Sequence, residues 1–168
     1  GDPITKKYPK LSHQINFLAI KKIVNFYKRL KVKLIFVSTC SNYGFLENKI
    51  ANEKTSLNPK SLYAKQKVKI EKYILSLRKK SKFIPTILRF STAFGVSARP
   101  RFDLTINEFV LHAVTKKKLQ IYDHETWRPY CHLKDFANVI QKCIEVDKKR
   151  TNYQIFNVGD YKNNYQKI

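Results

Sequence analysis

LIFVSTCSNYG, residues 34–44, is the stretch of sequence that decides the fold. Its first four residues form a short apolar run, as in strands that are buried on both faces of a parallel sheet. The hydroxyl-rich residues from Ser38 onward would then lie at the carboxyl end of that strand, where open α/β sheets place their ligand sites. The stretch therefore predicts an α/β fold with a site at the carboxyl edge of a parallel sheet.

A helix start follows in NPKSLYAKQK, residues 58–67, after the helix-bounding Pro59. Tyr63 and Lys67 stand at positions i and i+4, so they share one face of the predicted helix. An ammonium group beside a phenol favours the phenolate and lowers the phenol's pKa. A tyrosine tuned in this way can exchange a proton with a sugar or alcohol hydroxyl near neutral pH.

The Tyr-x-x-x-Lys spacing is weak evidence by itself, because the chain has 34 lysines and arginines among 168 residues. Tyr27 with Lys31, and Tyr130 with Lys134, show the same spacing. Only the pair that begins at Tyr63 follows an apolar strand with a Ser-Thr tip. That context favours chemistry at Tyr63 over a chance match.

Four ordered segments of the chain resemble the extended short-chain dehydrogenase/reductase family, which includes the NAD-dependent sugar-nucleotide epimerases and dehydratases. The first is the strand and helix already described. PTILRFSTAFG at 85–95 looks like the family's next strand and its substrate-side loop. WRPYCHLKDFA at 127–137 resembles the segment near the nucleotide phosphates, and FNVG at 156–159 matches the motif after a late strand. The resemblance implies a partial Rossmann-like parallel sheet lacking its first strands, with a small substrate-binding lobe.

The resemblance also divides the chain into two parts. Residues 1–90 would be the later part of an NAD(P)-binding Rossmann domain with the catalytic residues. Residues 91–168 would be mostly a sugar-nucleotide lobe, with a returning Rossmann strand near 154–158. The family's Gly-rich dinucleotide loop would lie upstream of Gly1, and no such motif occurs among the four glycines of this chain. We therefore expect an N-terminally truncated piece, in which the strand at 34–38 lacks its inner neighbour.

The resemblance implies a role for each candidate catalytic and cofactor-binding residue. Tyr63 would remove the proton of a sugar hydroxyl, Thr39 would hydrogen-bond the same oxygen, and Lys67 would hydrogen-bond the ribose of NAD or NADP. Ser38 and Phe90 match positions that line the nicotinamide. Plain core packing is the alternative for Phe90, and a strand-end hydroxyl bound to local backbone is the alternative for Thr39.

The implied substrate is a nucleotide-sugar. Arg128 matches an arginine that grips the diphosphate, although a surface arginine is the alternative. The other implied substrate-binding residues are Thr92, Leu104, Gln120 and Tyr122. Sugar-nucleotide 4,6-dehydratases place an Asp-Glu pair directly after the catalytic threonine, where this chain has Cys40 and Ser41. Epimerisation, or a simple keto/hydroxyl redox step, is therefore favoured over dehydration.

The formal net charge of +22 suits nucleic acid or an anionic membrane surface. However, the basic residues are scattered, and no RNA-binding motif accompanies their short clusters. We therefore interpret the charge as a solvated surface that would also attract an anionic sugar nucleotide, and we do not expect nucleic acid as a partner. A non-catalytic relic, or a basic nucleic-acid-binding module, stays as the alternative function.

The chain has no apolar run near the ~18 residues that cross a membrane, so we expect no membrane partner. Its three cysteines, Cys40, Cys131 and Cys143, form no C-x-x-C pair. This pattern predicts reduced thiols in a cytoplasmic protein, with neither a disulfide framework nor a metal site.

Hydrophobic periodicity predicts the elements along the chain. We expect a loop over 1–10, helices over 11–30, 61–80, 104–115 and 133–146, and strands over 34–38, 86–90, 119–122 and 154–158. In the resembled family, the first two helices form the four-helix interface of a homodimer.

Overall fold

The computed structural model describes residues 2–46, 50–78, 82–122, 124, 127–159 and 166–167. Its helices are α1 (Asp2–Lys7), α2 (Pro9–His13), α3 (Ile20–Tyr27), α4 (Leu62–Ser76), α5 (Thr105–Lys116), α6 (Leu133–Glu145) and α7 (Lys148–Thr151). Its strands are β1 (Lys33–Thr39), β2 (Ile84–Phe90), β3 (Thr92–Phe94), β4 (Trp127–Arg128), β5 (Tyr130–His132), β6 (Gln154–Val158) and β7 (Gln166–Lys167). The α/β class with parallel strands is confirmed.

The chain folds as two compact units. The first contains Gly1–Arg89 and Lys142–Asn157, and the second contains Phe90–Gln141 and Val158–Ile168.

The first unit is built on a three-stranded sheet in the order β1-β2-β6. The amide of Ile84 donates to the carbonyl oxygen of Val32 at 2.8 Å, and the amide of Tyr153 donates to that of Pro85 at 2.6 Å. Neighbouring strands therefore start side by side and run parallel. In the described part of the chain β1 lies at the edge of this sheet, and Val37 in it is 40% exposed.

Helices α3 and α4 supply the apolar cover of this sheet. Ile70, Ile74 and Leu77 recur at helical spacing, so they form one buried stripe on and just beyond α4. The stripe belongs to a core cluster whose other buried members are Val24, Phe36, Phe83, Ile87 and Tyr153. The hydroxyl of Ser61 caps α4 by accepting from the amide of Ala64 at 3.1 Å, which fixes where the helix begins.

The second unit contains a short parallel pair, β3 with β5, whose register places Thr92 opposite Tyr130. Beside this pair the ring of Phe90 stacks on that of Phe136, with centroids 4.0 Å apart. Gly95 follows β3 at φ +127, and a Cβ atom there would lie 2.7 Å from Nε2 of His132. The positive φ, which L side chains rarely adopt, therefore favours glycine at this position.

Two of the sequence-based expectations are wrong. Residues 2–7 form α1 instead of a loop; Pro3 fits because the first helical turn needs no amide donor. No strand forms over 119–122. Leu119, Ile121 and Tyr122 are exposed there, because this segment pairs with no strand of the described sheets.

The remaining differences are local. The first predicted helix begins earlier, at Pro9, and contains a π-helical segment at Gln14–Ala19 between α2 and α3. Strands β3 and β5 have three residues each, too short for a periodic signal. No helix in the described residues is long and apolar enough to cross a bilayer.

Candidate active site

Thr39 ends β1 and caps the short 3₁₀ turn Cys40–Tyr43. Its Oγ1 atom accepts from the amide of Ser41 at 3.2 Å, so the local backbone role considered for this hydroxyl is observed. A hydroxyl has one donor and two acceptor positions, so this contact leaves the proton of Thr39 available for a further partner.

Tyr63 and Lys67 lie in the first turns of α4, next to β1. The Lys67 Nζ atom is 5.7 Å from the centroid of the Tyr63 ring and 4.8 Å from that of Phe36. It also donates to the carbonyl oxygen of Val37 at 2.6 Å. The ammonium of Lys67 is thus held between the edge of β1 and the ring of Tyr63, and the i, i+4 spacing does bring the two side chains together.

Burial lowers the pKa of Lys67, and the negative charge of Glu71, one turn further along α4, opposes that shift. Partial burial therefore makes the ammonium easier to deprotonate, while the carboxylate favours its charged form. The charge beside Tyr63 depends on the balance of these two effects.

Ser38 lies just before Thr39, but its side chain is buried. Its hydroxyl donates to Oε1 of Glu71 and accepts from Nδ2 of Asn42, the latter at 3.1 Å. Phe90, in the second unit, stacks on Phe136, which is the packing considered as its alternative. The cofactor-binding roles of Ser38 and Phe90 stay predictions.

A buried polar cluster lies behind the tip of β1, and its main members are not among the predicted site residues. Arg89 and Glu71 form an ion pair, with Nη2 and Oε2 2.7 Å apart and side chains 3% and 2% exposed. Nη1 of Arg89 also donates to the Tyr43 hydroxyl at 2.8 Å, and that hydroxyl donates to Oδ1 of Asn157 at 2.7 Å. Burial raises the pKa of Tyr43, while the Arg89 charge opposes the shift.

Two sequence signals could have revealed this cluster. Arg89 interrupts the otherwise apolar strand IPTILRF at 84–90, and a charge in a buried strand needs a partner. Glu71 is the acidic residue of α4, and it lies on the same helix face as Tyr63 and Lys67.

The connection from β1 to α4 is tied to the same cluster. The amide of Asn58 donates to the carbonyl oxygen of Asn42 at 3.0 Å, which closes the connection at its base. Further along, the amide of Asn157 donates to Oε1 of Glu53 at 2.8 Å, and Nη1 of Arg89 lies 3.4 Å from the Glu53 carbonyl oxygen that it donates to. Gly44 has φ +71, and a Cβ atom there would lie 2.2 Å from the carbonyl oxygen of Asn58.

In the second unit, the structure brings two predicted substrate residues together. Nε of Arg128 donates to Oγ1 of Thr92 at 3.3 Å, as the pairing of β3 with β5 allows. Leu104 lies just before α5 and is half-buried. Gln120 and Tyr122 are exposed in a segment without regular structure.

A sequence model described as "NAD dependent epimerase/dehydratase family" matches residues 1–159. The chain belongs to this family. Among curated proteins, this family member is 30% identical over 131 residues to the "Uncharacterized UDP-glucose epimerase YtcB" of Bacillus subtilis (strain 168). The match covers 76% of this chain and 40% of YtcB.

Solved structures resemble this epimerase/dehydratase family chain over nearly its whole length. UDP-N-acetylglucosamine 4-epimerase from Methanobrevibacter ruminantium M1, in complex with UDP-N-acetylmuramic acid, is 26% identical with a TM-score of 0.80; the match covers 95% of this chain and 51% of that one. RMD from Pseudomonas aeruginosa, complexed with NADPH, is 16% identical with a TM-score of 0.83, covering 100% and 59% respectively. MoeE5 in complex with UDP-glucose and NAD is 21% identical with a TM-score of 0.80, covering 95% and 53%. The chain thus spans little more than half the length of these relatives.

Proposed function

We propose that this chain carries the catalytic and substrate-binding residues of an NAD(P)-dependent sugar-nucleotide epimerase, with Tyr63 as the acid/base. The observation that carries the proposal is the ammonium of Lys67, 5.7 Å from the centre of the Tyr63 ring and bound to the Val37 carbonyl at the edge of β1. A positive charge beside a phenol favours the phenolate that proton abstraction requires. The proposal extends the chain's membership of the epimerase/dehydratase family to a specific reaction.

The donors at this edge of the sheet fit the nicotinamide–ribose end of NAD or NADP. Lys67 has three N–H donors, and one of them is bound to Val37, so others can reach ribose hydroxyls. When bound, the nicotinamide accepts a hydride from a sugar carbon and returns it. Tyr63 would take the hydroxyl proton and give it back, while Thr39 would donate a hydrogen bond to the same oxygen. NAD and NADPH are present in the MoeE5 and RMD structures.

Thr92 and Arg128 are the proposed polar contacts for the nucleotide-sugar. Arg128 uses Nε for its contact with Thr92, so the other N–H groups of its exposed guanidinium can bind a phosphate. We propose that Leu104, Gln120 and Tyr122 contact the nucleotide base. Cys40 and Ser41 occupy the positions of a dehydratase's acid and base, which favours epimerisation over elimination of water.

Turnover tests the proposed function directly. Because no Gly-rich dinucleotide loop occurs among its four glycines, the chain is joined behind the N-terminal dinucleotide-binding segment of a family member. This extended chain is incubated with NAD and, in turn, UDP-glucose, UDP-glucuronic acid and UDP-N-acetylglucosamine, and the sugar proton signals are followed by NMR. We expect inversion at one ring carbon without net reduction of NAD. If none of these sugars changes, while unrelated RNA binds with a steep salt dependence, the basic nucleic-acid-binding module is the better description.

We also propose that the protein forms a homodimer through the outer face of the segment from α2 to α3. Leu11, Ile15 and Leu18 lie on consecutive turns of this face and are exposed, as is Phe26, which is 70% exposed. An apolar stripe of this length on a surface helix is typical of an interaction site. The second copy of the chain is the proposed occupant, as the homodimer of the resembled family implies. The three cysteines support a cytoplasmic location for this dimer.

Charge on this stripe should separate the subunits. Replacing both Ile15 and Leu18 with aspartate would place paired carboxylates in the interface, so we expect the mass measured by light scattering to fall by half. Val114→Asp on the exposed side of α5 is the control, and we expect it to leave the mass unchanged. An unaltered chain that is already monomeric at micromolar concentration would refute the dimer.

A further inference from the structure

Glu71 lies on the same face of α4 as the two proposed catalytic residues of that helix. Tyr63, Lys67 and Glu71 are spaced by four residues, so they follow one another along the helix surface. The first two are partly exposed, whereas Glu71 is almost completely buried at its end of the row.

The carboxylate of Glu71 is bound from both sides of Thr39. Ser38, which precedes Thr39, donates its hydroxyl to Oε1, and Asn42, which follows it in the turn, donates from Nδ2 to the same oxygen at 2.7 Å. Arg89 on β2 completes the set, with Nη2 at 2.7 Å from Oε2 and Nε at 3.2 Å from Oε1. One side chain of α4 therefore holds the residues on each side of the proposed catalytic threonine.

We propose that Glu71 is a positioning residue, which fixes the distance between the Tyr63/Lys67 face of α4 and the Ser38–Asn42 tip of β1. The inference rests on the proposed function, because the groups that Glu71 positions are the acid/base and its partners. By holding α4 on β1, the carboxylate also keeps Lys67 within reach of the Val37 carbonyl and beside the ring of Tyr63.

Stability alone is a poor reason for such a cluster. A buried ion pair can often be replaced by apolar side chains at no loss of stability. Here the carboxylate accepts hydrogen bonds from three residues outside α4, and two of these, Ser38 and Asn42, lie on either side of Thr39 in the sequence. Bonds from one acceptor to two sides of a turn fix the direction of that turn, which an apolar contact cannot do.

The test replaces Glu71 with glutamine or aspartate, in the 168-residue chain for the titration and in the chain extended by a dinucleotide-binding segment for turnover. Glutamine keeps the size but removes the charge and one acceptor, whereas aspartate keeps the charge on a shorter side chain. The matched control is Asp103→Asn, which removes a carboxylate from the exposed pair with Arg101. Two quantities are measured: the titration of Lys67 by NMR of ¹³C-labelled lysine, assigned with Lys67→Arg, and the steady-state constants for the UDP-sugar.

The charged and titratable neighbours of the Lys67 ammonium in the described structure are Tyr63 and Glu71, both on α4, and Phe36 and Val37 of β1 face it without charge. Loss of the Glu71 charge should therefore lower the pKa of Lys67 further, because the carboxylate favours the charged ammonium. Glu71→Asp keeps the negative charge, so the pKa of Lys67 should stay close to that of the unaltered chain. Asp103→Asn should leave the titration of Lys67 unchanged.

For turnover, we expect Glu71→Gln to lower kcat by about 10–100-fold, because small displacements of reacting groups are costly. KM should stay within about twofold, since a positioning defect affects the chemical step more than ground-state binding. Glu71→Asp should recover part of kcat. An unchanged kcat and an unchanged Lys67 titration in a folded Glu71→Gln chain would overturn the proposal.

Two further outcomes are informative. If the unaltered chain shows no turnover, the proposed function fails, but the Lys67 titration still decides whether Glu71 positions this helix face. If Glu71→Gln does not fold, Asn42→Ala removes a single bond to the carboxylate and leaves the ion pair with Arg89 intact. We then expect a smaller fall in kcat at constant KM, and an unchanged kcat would overturn the proposal.

Discussion

Replacement of Arg89 by methionine should lower the free energy of unfolding by about 3–5 kcal/mol. The variant would leave Glu71 as a buried carboxylate without its cation, in a site where the two side chains of the pair are 3% and 2% exposed. The remaining donors, Ser38 and Asn42, are neutral and cannot replace the charge. Unfolding by urea, followed by circular dichroism at neutral pH, measures the loss.

Two controls separate the buried charge from other effects of the substitution. The double variant Glu71→Leu/Arg89→Met removes both charges, and we expect it to lose less stability than Arg89→Met alone. Arg101→Met breaks an ion pair whose side chains are 47% and 50% exposed, so it should cost less than about 1 kcal/mol. If Arg89→Met loses no more unfolding free energy than Arg101→Met, the Glu71 carboxylate is not left as an uncompensated buried charge, and the prediction is wrong.

The elements predicted best from the sequence are those that the first unit buries. The strands β1, β2 and β6 carry apolar runs of strand length, and the core residues Ile70, Ile74 and Leu77 on and just beyond α4 recur at helical spacing, so pattern alone locates these elements. The segment LQIY at 119–122 is also rich in apolar residues, but in the structure Leu119, Ile121 and Tyr122 are exposed. An apolar segment of this kind can form a strand, but it does so only where the tertiary fold places another strand beside it.

The same division applies to the candidate site. The proximity of Tyr63 and Lys67 follows from helix geometry, so the sequence was sufficient to predict it. The proximity of Thr92 and Arg128 depends on the pairing of β3 with β5, and that of Glu71 and Arg89 depends on how α4 packs across the sheet. Contacts between residues distant in sequence require the tertiary fold, although the charge of Arg89 within an apolar strand was a sign that one existed.

Tyr63→Phe should lower turnover of the UDP-sugar by about 10²–10⁴-fold, the usual contribution of general acid–base catalysis. The substitution removes only the phenolic oxygen, so the packing of the ring beside Lys67 is kept and KM should change little. Such a loss corresponds to about 3–5 kcal/mol in the activation barrier. Steady-state rates of the chain extended by a dinucleotide-binding segment, at saturating UDP-sugar and NAD, measure the effect, with urea unfolding as a check on stability.

The chain contains its own matched control for this experiment, because Tyr27 and Lys31 have the same spacing as Tyr63 and Lys67. Tyr27 is the last residue of α3, and its side chain is exposed. Helix α3 precedes the amino end of β1, whereas Thr39 lies at the carboxyl end of that strand. Tyr27→Phe should therefore turn over at the rate of the unaltered chain. If the two tyrosine variants are equally active, the phenol of Tyr63 transfers no proton. The ammonium of Lys67 would then serve only to bind the edge of β1, and the acid/base would have to be sought elsewhere in the chain.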